Sequence, residues 1–213
     1  MSSAILPRHH LGKAFMQKFL ILARLVLLTS LMASTHAAHA QSDPKKWEFG
    51  ADIGYLKKVK HGTPLDYEIV PTQLVWRTPV ARELWRGAGG ASLTLRHRLA
   101  FVYETFIEGP EDRYVGFSGS PVFELWAPNR KSALFYEIGG GGGFINSQGV
   151  PGGQGQDLTF NFFMQLGVRR QLSPKMALTA GTYFLHHSNL GMTKPNPGID
   201  VLGLNFGLVW QLD

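Results

Sequence analysis

Apolar and polar residues alternate with a period of two through most of the chain, beginning near residue 47. The clearest stretch follows residue 158, where Leu158, Phe160 and Phe162 share one face and Thr159 and Asn161 share the other. Such alternation is typical of β-strands with one apolar face and one polar face. Clusters of Gly, Pro, Asn and Asp separate the segments. The pattern predicts eight strands, over Trp47–Val59, Tyr67–Thr78, Ala91–Phe106, Tyr114–Trp126, Ala133–Phe144, Leu158–Gln171, Met176–Ser188 and Val201–Trp210.

The segments are longer than the strands of most water-soluble proteins, which have about five or six residues. A tilted strand that crosses a bilayer needs about 9 to 11. Aromatic residues such as Trp76, Trp126 and Trp210 lie toward segment ends, as they do at membrane interfaces. We therefore predict an all-β fold, an eight-stranded antiparallel transmembrane β-barrel with its apolar face toward lipid. Its interior would hold a polar network of Arg96, Arg98, Glu104, Glu124, Glu137 and Arg169.

A soluble exported barrel or sandwich is the alternative, because the same alternation would then place the apolar face inside. Residues 1–40 favour export in either case. Three bases, Lys13, Lys18 and Arg24, precede the apolar run 25–32, and Ala38-His39-Ala40 provides small residues before Gln41. This arrangement predicts a cleaved signal peptide over residues 1–40 and a barrel domain over residues 41–213.

The net charge of +6 belongs mainly to that leader, which contains four of the 21 Lys and Arg residues and no acid. The remaining 17 bases nearly balance 15 acids and form no basic stripe, which argues against a nucleic-acid partner. The chain has no cysteine, so disulfides, thiolate metal sites and a lipoprotein anchor are excluded.

An even number of strands places both chain ends on one side of the membrane, the periplasmic side for a bacterial outer-membrane barrel. The connections Lys60–Asp66, Ile107–Arg113, Ile145–Asp157 and Asn189–Ile199 would then lie outside the cell. The stretch Pro79–Gly90 is long for a periplasmic turn, and we expect a short helical turn within it.

Candidate chemistry is concentrated at the end of the seventh segment. His186 and Ser188 lie on the same strand face with Cα atoms roughly 6.6 Å apart. If the last strand folds back about Lys194, Ser188 pairs with Asp200 and His186 pairs with Leu202, so all three polar residues share a face. A base, a hydroxyl and a carboxylate are the groups of a serine hydrolase triad. Parity places them on the apolar, lipid-facing side, where polar groups are costly unless they have a function.

These residues also carry a resemblance to a known family. The sequence His186-x-Ser188-Asn189-x-Gly191, followed by Pro195, Asn196 and Asp200, resembles the signature of the lipid A 3-O-deacylases (PagL) of bacterial outer membranes. The match covers about the last thirty residues. The acid of the family signature is usually Glu, and here Asp200 is shorter by one methylene.

The resemblance implies removal of the 3-O-linked 3-hydroxyacyl chain from the lipid A of lipopolysaccharide, with no metal or other cofactor. Ser188 would be the nucleophile, His186 the base and Asp200 its orienting acid. Asn189 and the Gly191 N–H would bind the oxyanion, and Asn196 would support the loop. The alternative is a non-catalytic small barrel used in adhesion or envelope integrity. A monomer and a homodimer both stay open.

Overall fold

The computed structural model describes residues 42–59 and 65–213. The predicted signal peptide and most of the first long connection lie outside the described residues. Nine strands occupy the described part, and the bounds of eight of them agree with the predicted segments to within a few residues. They are β1 (Glu48–Lys58), β2 (Glu68–Arg77), β3 (Arg82–Arg86), β4 (Ser92–Glu108), β5 (Arg113–Trp126), β6 (Ser132–Ile145), β7 (Leu158–Ser173), β8 (Met176–Ser188) and β9 (Ile199–Gln211).

Eight of these strands form a closed antiparallel barrel. Neighbouring strands pair in chain order. The barrel closes because β1 pairs with β9 and β2 pairs with β4, so each of the eight strands has a partner on both sides. Long connections over residues 109–112, 146–157 and 189–198 lie at one end, here called the loop end. The first described residues, the last residues and the short turns lie at the other, called the turn end. The predicted eight-stranded barrel is confirmed.

The expected helical turn within Pro79–Gly90 is wrong, because this stretch contains β3. Strand β4 extends toward the turn end beyond its last pairing with β2, which joins Arg77 to Arg98. This extension offers unpaired backbone groups, and β3 pairs with it from Arg82↔Leu95 to Arg86↔Ser92. A buried or half-buried backbone edge needs hydrogen-bond partners, so the chain pairs there as a strand.

The two faces of the barrel wall are inverted relative to a soluble protein. Leu134 and Leu166 are 55% and 58% exposed, whereas Arg96 and Arg169 are 1% exposed. A soluble barrel would bury the first pair and expose the second. The apolar exterior and charged interior are those of a transmembrane barrel, and they exclude the soluble alternative with an apolar cavity.

The predicted internal network is confirmed, since all six of its residues are buried. Near the turn end, Arg169 lies 2.7 Å from Glu48 and 3.2 Å from Glu124, and Arg96 lies 3.0 Å from Glu48. Closer to the middle, Arg98 pairs with Glu137 at 3.3 Å. Buried charges persist only when paired, so these contacts fill the interior with matched ions.

No helix within the described residues has the length and apolar character needed to cross a membrane.

Candidate active site

Strands β8 and β9 form the hairpin that carries the candidate residues, and their register differs from the predicted one. His186 pairs directly with Asp200, and Phe184 pairs with Leu202. The prediction that Ser188 lies opposite Asp200 is therefore wrong by two residues. A shift of two preserves the face of every side chain, so the predicted common face of His186, Ser188 and Asp200 is retained.

His186 and Asp200 interact directly. The His186 Nδ1 lies 2.7 Å from the Asp200 Oδ1, and the two side chains are 35% and 20% exposed. A hydrogen bond from Nδ1 to a carboxylate fixes the ring orientation and leaves Nε2 for another group. Gly198, in the connection that precedes β9, lies beside the ring, since a Cβ at this position would be 3.6 Å from His186 Cε1.

Ser188 ends β8 two residues beyond His186, on the same face. The residue is 9% exposed, and no hydrogen bond to its hydroxyl occurs within the described part of the chain. On the neighbouring strand β7, Phe160 pairs with Ser188 and the exposed Phe162 pairs with His186. Strand parity therefore places all three polar groups on the lipid-facing side of the barrel, as predicted, with His186 and Asp200 partly exposed and Ser188 buried.

Asn189 organises the loop that follows Ser188. Its side-chain Nδ2 donates to the carbonyls of Gln154 at 2.7 Å and Thr193 at 2.8 Å. Its Oδ1 accepts from the Gly191 N–H at 2.9 Å, and its backbone N–H donates to the Asn196 Oδ1 at 3.0 Å. Asn189 is fully buried. The residues proposed as oxyanion donors thus bond to each other and to the loop, with Asn196 as a supporting residue.

A chain of buried hydrogen bonds continues from this loop to two other loops. The Gln154 N–H donates to the Ser147 hydroxyl, and the Ser147 hydroxyl donates to Glu111 at 2.8 Å. Glu111 also accepts from the Tyr67 hydroxyl at 2.9 Å. Burial, reinforced by the Glu111 carboxylate, raises the pKa of Tyr67, so its hydroxyl stays a donor. Sequence reasoning missed these loop contacts, and the only signal was polar residues within a glycine-rich stretch.

The lumen side of the same strand end holds a second polar pair. His187, between His186 and Ser188, points inward, and its Nε2 lies 2.8 Å from the Glu104 Oε2. Both side chains are fully buried, and the Tyr114 ring lies 4.6 Å from the imidazole between centroids. The inward direction of His187 follows from its place on β8, one residue after the outward-facing His186. Its partner, 83 residues away in sequence, was not predicted.

No group of three or more His, Asp or Glu side chains in residues 42–59 and 65–213 is arranged to hold a metal ion. On the lipid-facing side of this end, the β8–β9 hairpin carries a hydroxyl (Ser188), an imidazole (His186) and a carboxylate (Asp200). The fold defines a small transmembrane barrel, and its β8–β9 hairpin places a serine, a histidine and an aspartate on the lipid-facing side.

The chain belongs to the lipid A 3-O-deacylase (PagL) family, whose model matches residues 72–209, well over half of its length. The match includes the β8–β9 hairpin and the loop-end connections over residues 109–112, 146–157 and 189–198. A comparison with curated proteins gave no match.

Three solved structures are similar to this chain, and the first of them supports the fold assignment. The crystal structure of the outer membrane enzyme PagL matches with a TM-score of 0.51 and 21% identity, over 75% of this chain and 97% of that chain. Neisserial surface protein A matches with a TM-score of 0.42 and 11% identity, over 78% and 97%. The Yersinia pestis outer membrane protein Ail matches with a TM-score of 0.35 and 17% identity, over 75% and 98%.

Proposed function

We propose that this protein is a serine esterase of the bacterial outer membrane that removes the 3-O-linked 3-hydroxyacyl chain from lipid A. The observation that carries the proposal is the His186–Asp200 hydrogen bond beside Ser188, on the apolar outer wall. Family membership supports lipid A as the substrate. The likeness to the outer membrane enzyme PagL and the predicted signal peptide over residues 1–40 support the location.

The proposed reaction uses three side chains. The Ser188 Oγ attacks the ester carbonyl while the His186 Nε2 accepts its proton. The ester C–O bond then breaks, and His186 returns the proton to the departing 3-oxygen of the sugar. Water hydrolyses the acyl-enzyme by the same route in reverse, which releases the 3-hydroxy fatty acid. Asp200 holds the Nδ1–H tautomer and stabilises the imidazolium, as expected of the acid in a triad.

The oxyanion requires a donor at the loop end. We propose the Gly191 N–H, which in this structure donates to the Asn189 Oδ1. During the reaction, the Gly191 N–H would leave the Asn189 Oδ1 and donate to the developing oxyanion. Loss of one such oxyanion donor typically lowers the rate by about 10²–10³-fold. The Asn189 amide already donates to two carbonyls, so we assign it the role of shaping the loop. Asn196 supports the same loop through the Asn189 N–H.

The exterior position of the site suits its substrate. With the turn end in the periplasm, the loop end reaches the outer leaflet, where lipopolysaccharide resides. An ester in a membrane-embedded glycolipid can then reach Ser188 from the side of the barrel, without entering the charged lumen. Because the proposed reaction uses only side chains, a backbone N–H and water, it needs no metal ion.

The test compares Ser188→Ala and His186→Ala with the wild-type protein, purified in detergent and incubated with lipopolysaccharide. Ser173→Ala at the turn end serves as the matched control. We expect the first two variants to release no 3-hydroxy fatty acid by mass spectrometry, and the control to be fully active. All should keep the heat-modifiable gel mobility of a folded barrel. Undiminished release by both site variants would reject the mechanism, and no release by any folded protein would favour a non-catalytic barrel.

A further inference from the structure

A second feature of the outer wall lies at the turn end, far along the strands from the candidate active site. It is an open groove of about 580 Å³, a volume within the range of about 300–1,000 Å³ that accommodates small ligands. The part of the groove nearer the loop end is lined by large apolar side chains, and the part nearer the turn end is lined by small ones. The large residues are Trp85, Leu125, Leu134 and Val168, and the small ones are Ala91, Ala127 and Ser132.

The register explains why a depression forms here. Leu93 pairs with Trp85 and with Leu125, Leu125 with Leu134, and Leu134 with Val168, so one lipid-facing row crosses β3 to β7. Toward the turn end, the next positions on this face, at the ends of β4, β5 and β6, carry alanine or serine, whose small side chains leave the backbone of the wall uncovered. Strand β3 is exposed along its length and places the Trp85 ring at one side.

Arg170 closes the other side. It follows the buried Arg169 on β7, so its side chain belongs to the lipid-facing side, where it lines the groove. Its Nη1 donates to the Ser132 hydroxyl at 2.8 Å, which holds the guanidinium at the groove. No acid among the described residues forms an ion pair with it. Arg169 also lines the groove, but its charge is paired with Glu48 and Glu124 in the lumen. The groove therefore combines an apolar floor with one guanidinium, that of Arg170, whose charge is not paired with an acid of the described residues.

We propose that this groove binds one glycerophospholipid of the periplasmic leaflet. Its phosphate lies at Arg170, and one acyl chain lies over Leu125, Leu134 and Val168. The guanidinium fork matches phosphate oxygens, and the Trp85 indole suits the depth of the headgroups. The apolar part faces hydrocarbon, which excludes a water-soluble partner. The proposal rests on the membrane orientation proposed above but not on the esterase mechanism.

The test is native mass spectrometry of the detergent-purified barrel titrated with phosphatidylglycerol. The wild-type protein should retain one lipid through detergent removal in the instrument. Arg170→Gln should bind phosphatidylglycerol at least about tenfold more weakly than the wild type, as expected for loss of a hydrogen bond from a charged group. Ala127→Trp fills the floor and should abolish retention. Lys175→Gln is the matched control, because Lys175 lies at the turn end, pairs with Asp213 and does not line the groove.

Three results would overturn the proposal. Equal retention by wild type, Arg170→Gln and Ala127→Trp would indicate a non-specific lipid shell. Displacement of the lipid by inorganic phosphate alone would indicate a simple anion site. A dimer without bound lipid that Ala127→Trp dissociates would show that a second copy occupies the groove. Heat-modifiable gel mobility confirms that each variant is folded.

Failure here is separable from failure of the esterase proposal. Ser188→Ala should retain phosphatidylglycerol as the wild type does, although it releases no fatty acid. Conversely, a wild-type protein that binds one lipid at the groove but releases no fatty acid would refute only the esterase proposal. A protein that deacylates lipid A but retains no phosphatidylglycerol would refute only the lipid-binding proposal.

Discussion

His186 Nδ1 and Asp200 Oδ1 lie 2.7 Å apart across directly paired positions of β8 and β9. Directly opposed residues on one face of a sheet have Cβ atoms about 4.5–5.5 Å apart, whereas diagonal neighbours are about 7–8 Å apart. The direct pairing therefore lets a short aspartate reach the imidazole. Asp200 replaces the usual glutamate of the family signature, and its direct pairing with His186 explains why the shorter acid is long enough here.

We predict that Asp200→Asn keeps the hairpin but lowers kcat for lipid A deacylation by about 10³–10⁴-fold, because an amide can stabilise the wrong imidazole tautomer. The measurement is fatty acid release under saturating substrate, with unfolding in urea as a control for stability. A variant as active as the wild type would remove Asp200 from the site.

Asp200→Glu tests the geometric argument. The additional methylene must be accommodated between paired strands, so we expect folded protein with an activity between those of the wild type and Asp200→Asn. The comparison uses the same release assay on both variants. An Asp200→Glu protein no more active than Asp200→Asn would show that the position tolerates only the shorter acid.

Asn189→Ala should disorganise the loop without opening the barrel. It removes two donated bonds to carbonyls and the acceptor of the Gly191 N–H, all in a fully buried position. Unsatisfied buried groups cost about 1–3 kcal/mol each. We expect a large loss of activity together with faster proteolysis within residues 189–198, while strand amides keep their protection from hydrogen exchange. Unchanged activity would refute the role assigned to this side chain.

The buried His187–Glu104 pair predicts a non-additive result. His187→Leu alone leaves the Glu104 carboxylate without this partner in the lumen and should destabilise the barrel by about 3–5 kcal/mol. The double variant His187→Leu/Glu104→Leu removes both polar groups and should lose less stability than His187→Leu alone. Urea unfolding in detergent measures this cycle. Additive losses would mean that the two groups do not interact.

Two adjacent glycines of β6 should respond oppositely to alanine. A Cβ at Gly141 would lie 1.8 Å from the Phe117 carbonyl oxygen, whereas a Cβ at Gly142 would lie 3.5 Å from the Phe160 ring. Gly141→Ala must therefore displace backbone and should prevent or strongly weaken folding. Gly142→Ala should be neutral or stabilise by about 0.5–1 kcal/mol, because glycine is costly in a strand. The midpoints of urea unfolding distinguish them.

The sequence was sufficient for the barrel because period two assigns each residue to a face regardless of its partner. The pairing of β8 with β9 could not be predicted as well, because the ten-residue connection 189–198 has no symmetric centre. The error of two residues left every face intact and changed only the partners. The common face of His186, Ser188 and Asp200 was therefore predicted correctly, whereas the direct pairing of His186 with Asp200 was not predicted.

Other features depend on contacts that are remote in the chain. Strand β3 has no clear alternation, and it pairs because β4 extends past β2. The bond from Asn189 to the Gln154 carbonyl and the contact of His187 with Glu104 join segments whose proximity only closure of the barrel creates. No local pattern in the sequence encodes such partners.

All the proposed reacting groups occupy a single hairpin, β8 to β9, of which only the outward face and the connecting loop are used. The remaining six barrel strands act as a frame whose lumen is closed by its own ion pairs. Because of this division, we expect that the hairpin could be grafted onto another barrel together with its chemistry. A barrel of equal strand number without enzymatic activity would be a suitable recipient, provided that it also received the Gln154 loop that anchors Asn189.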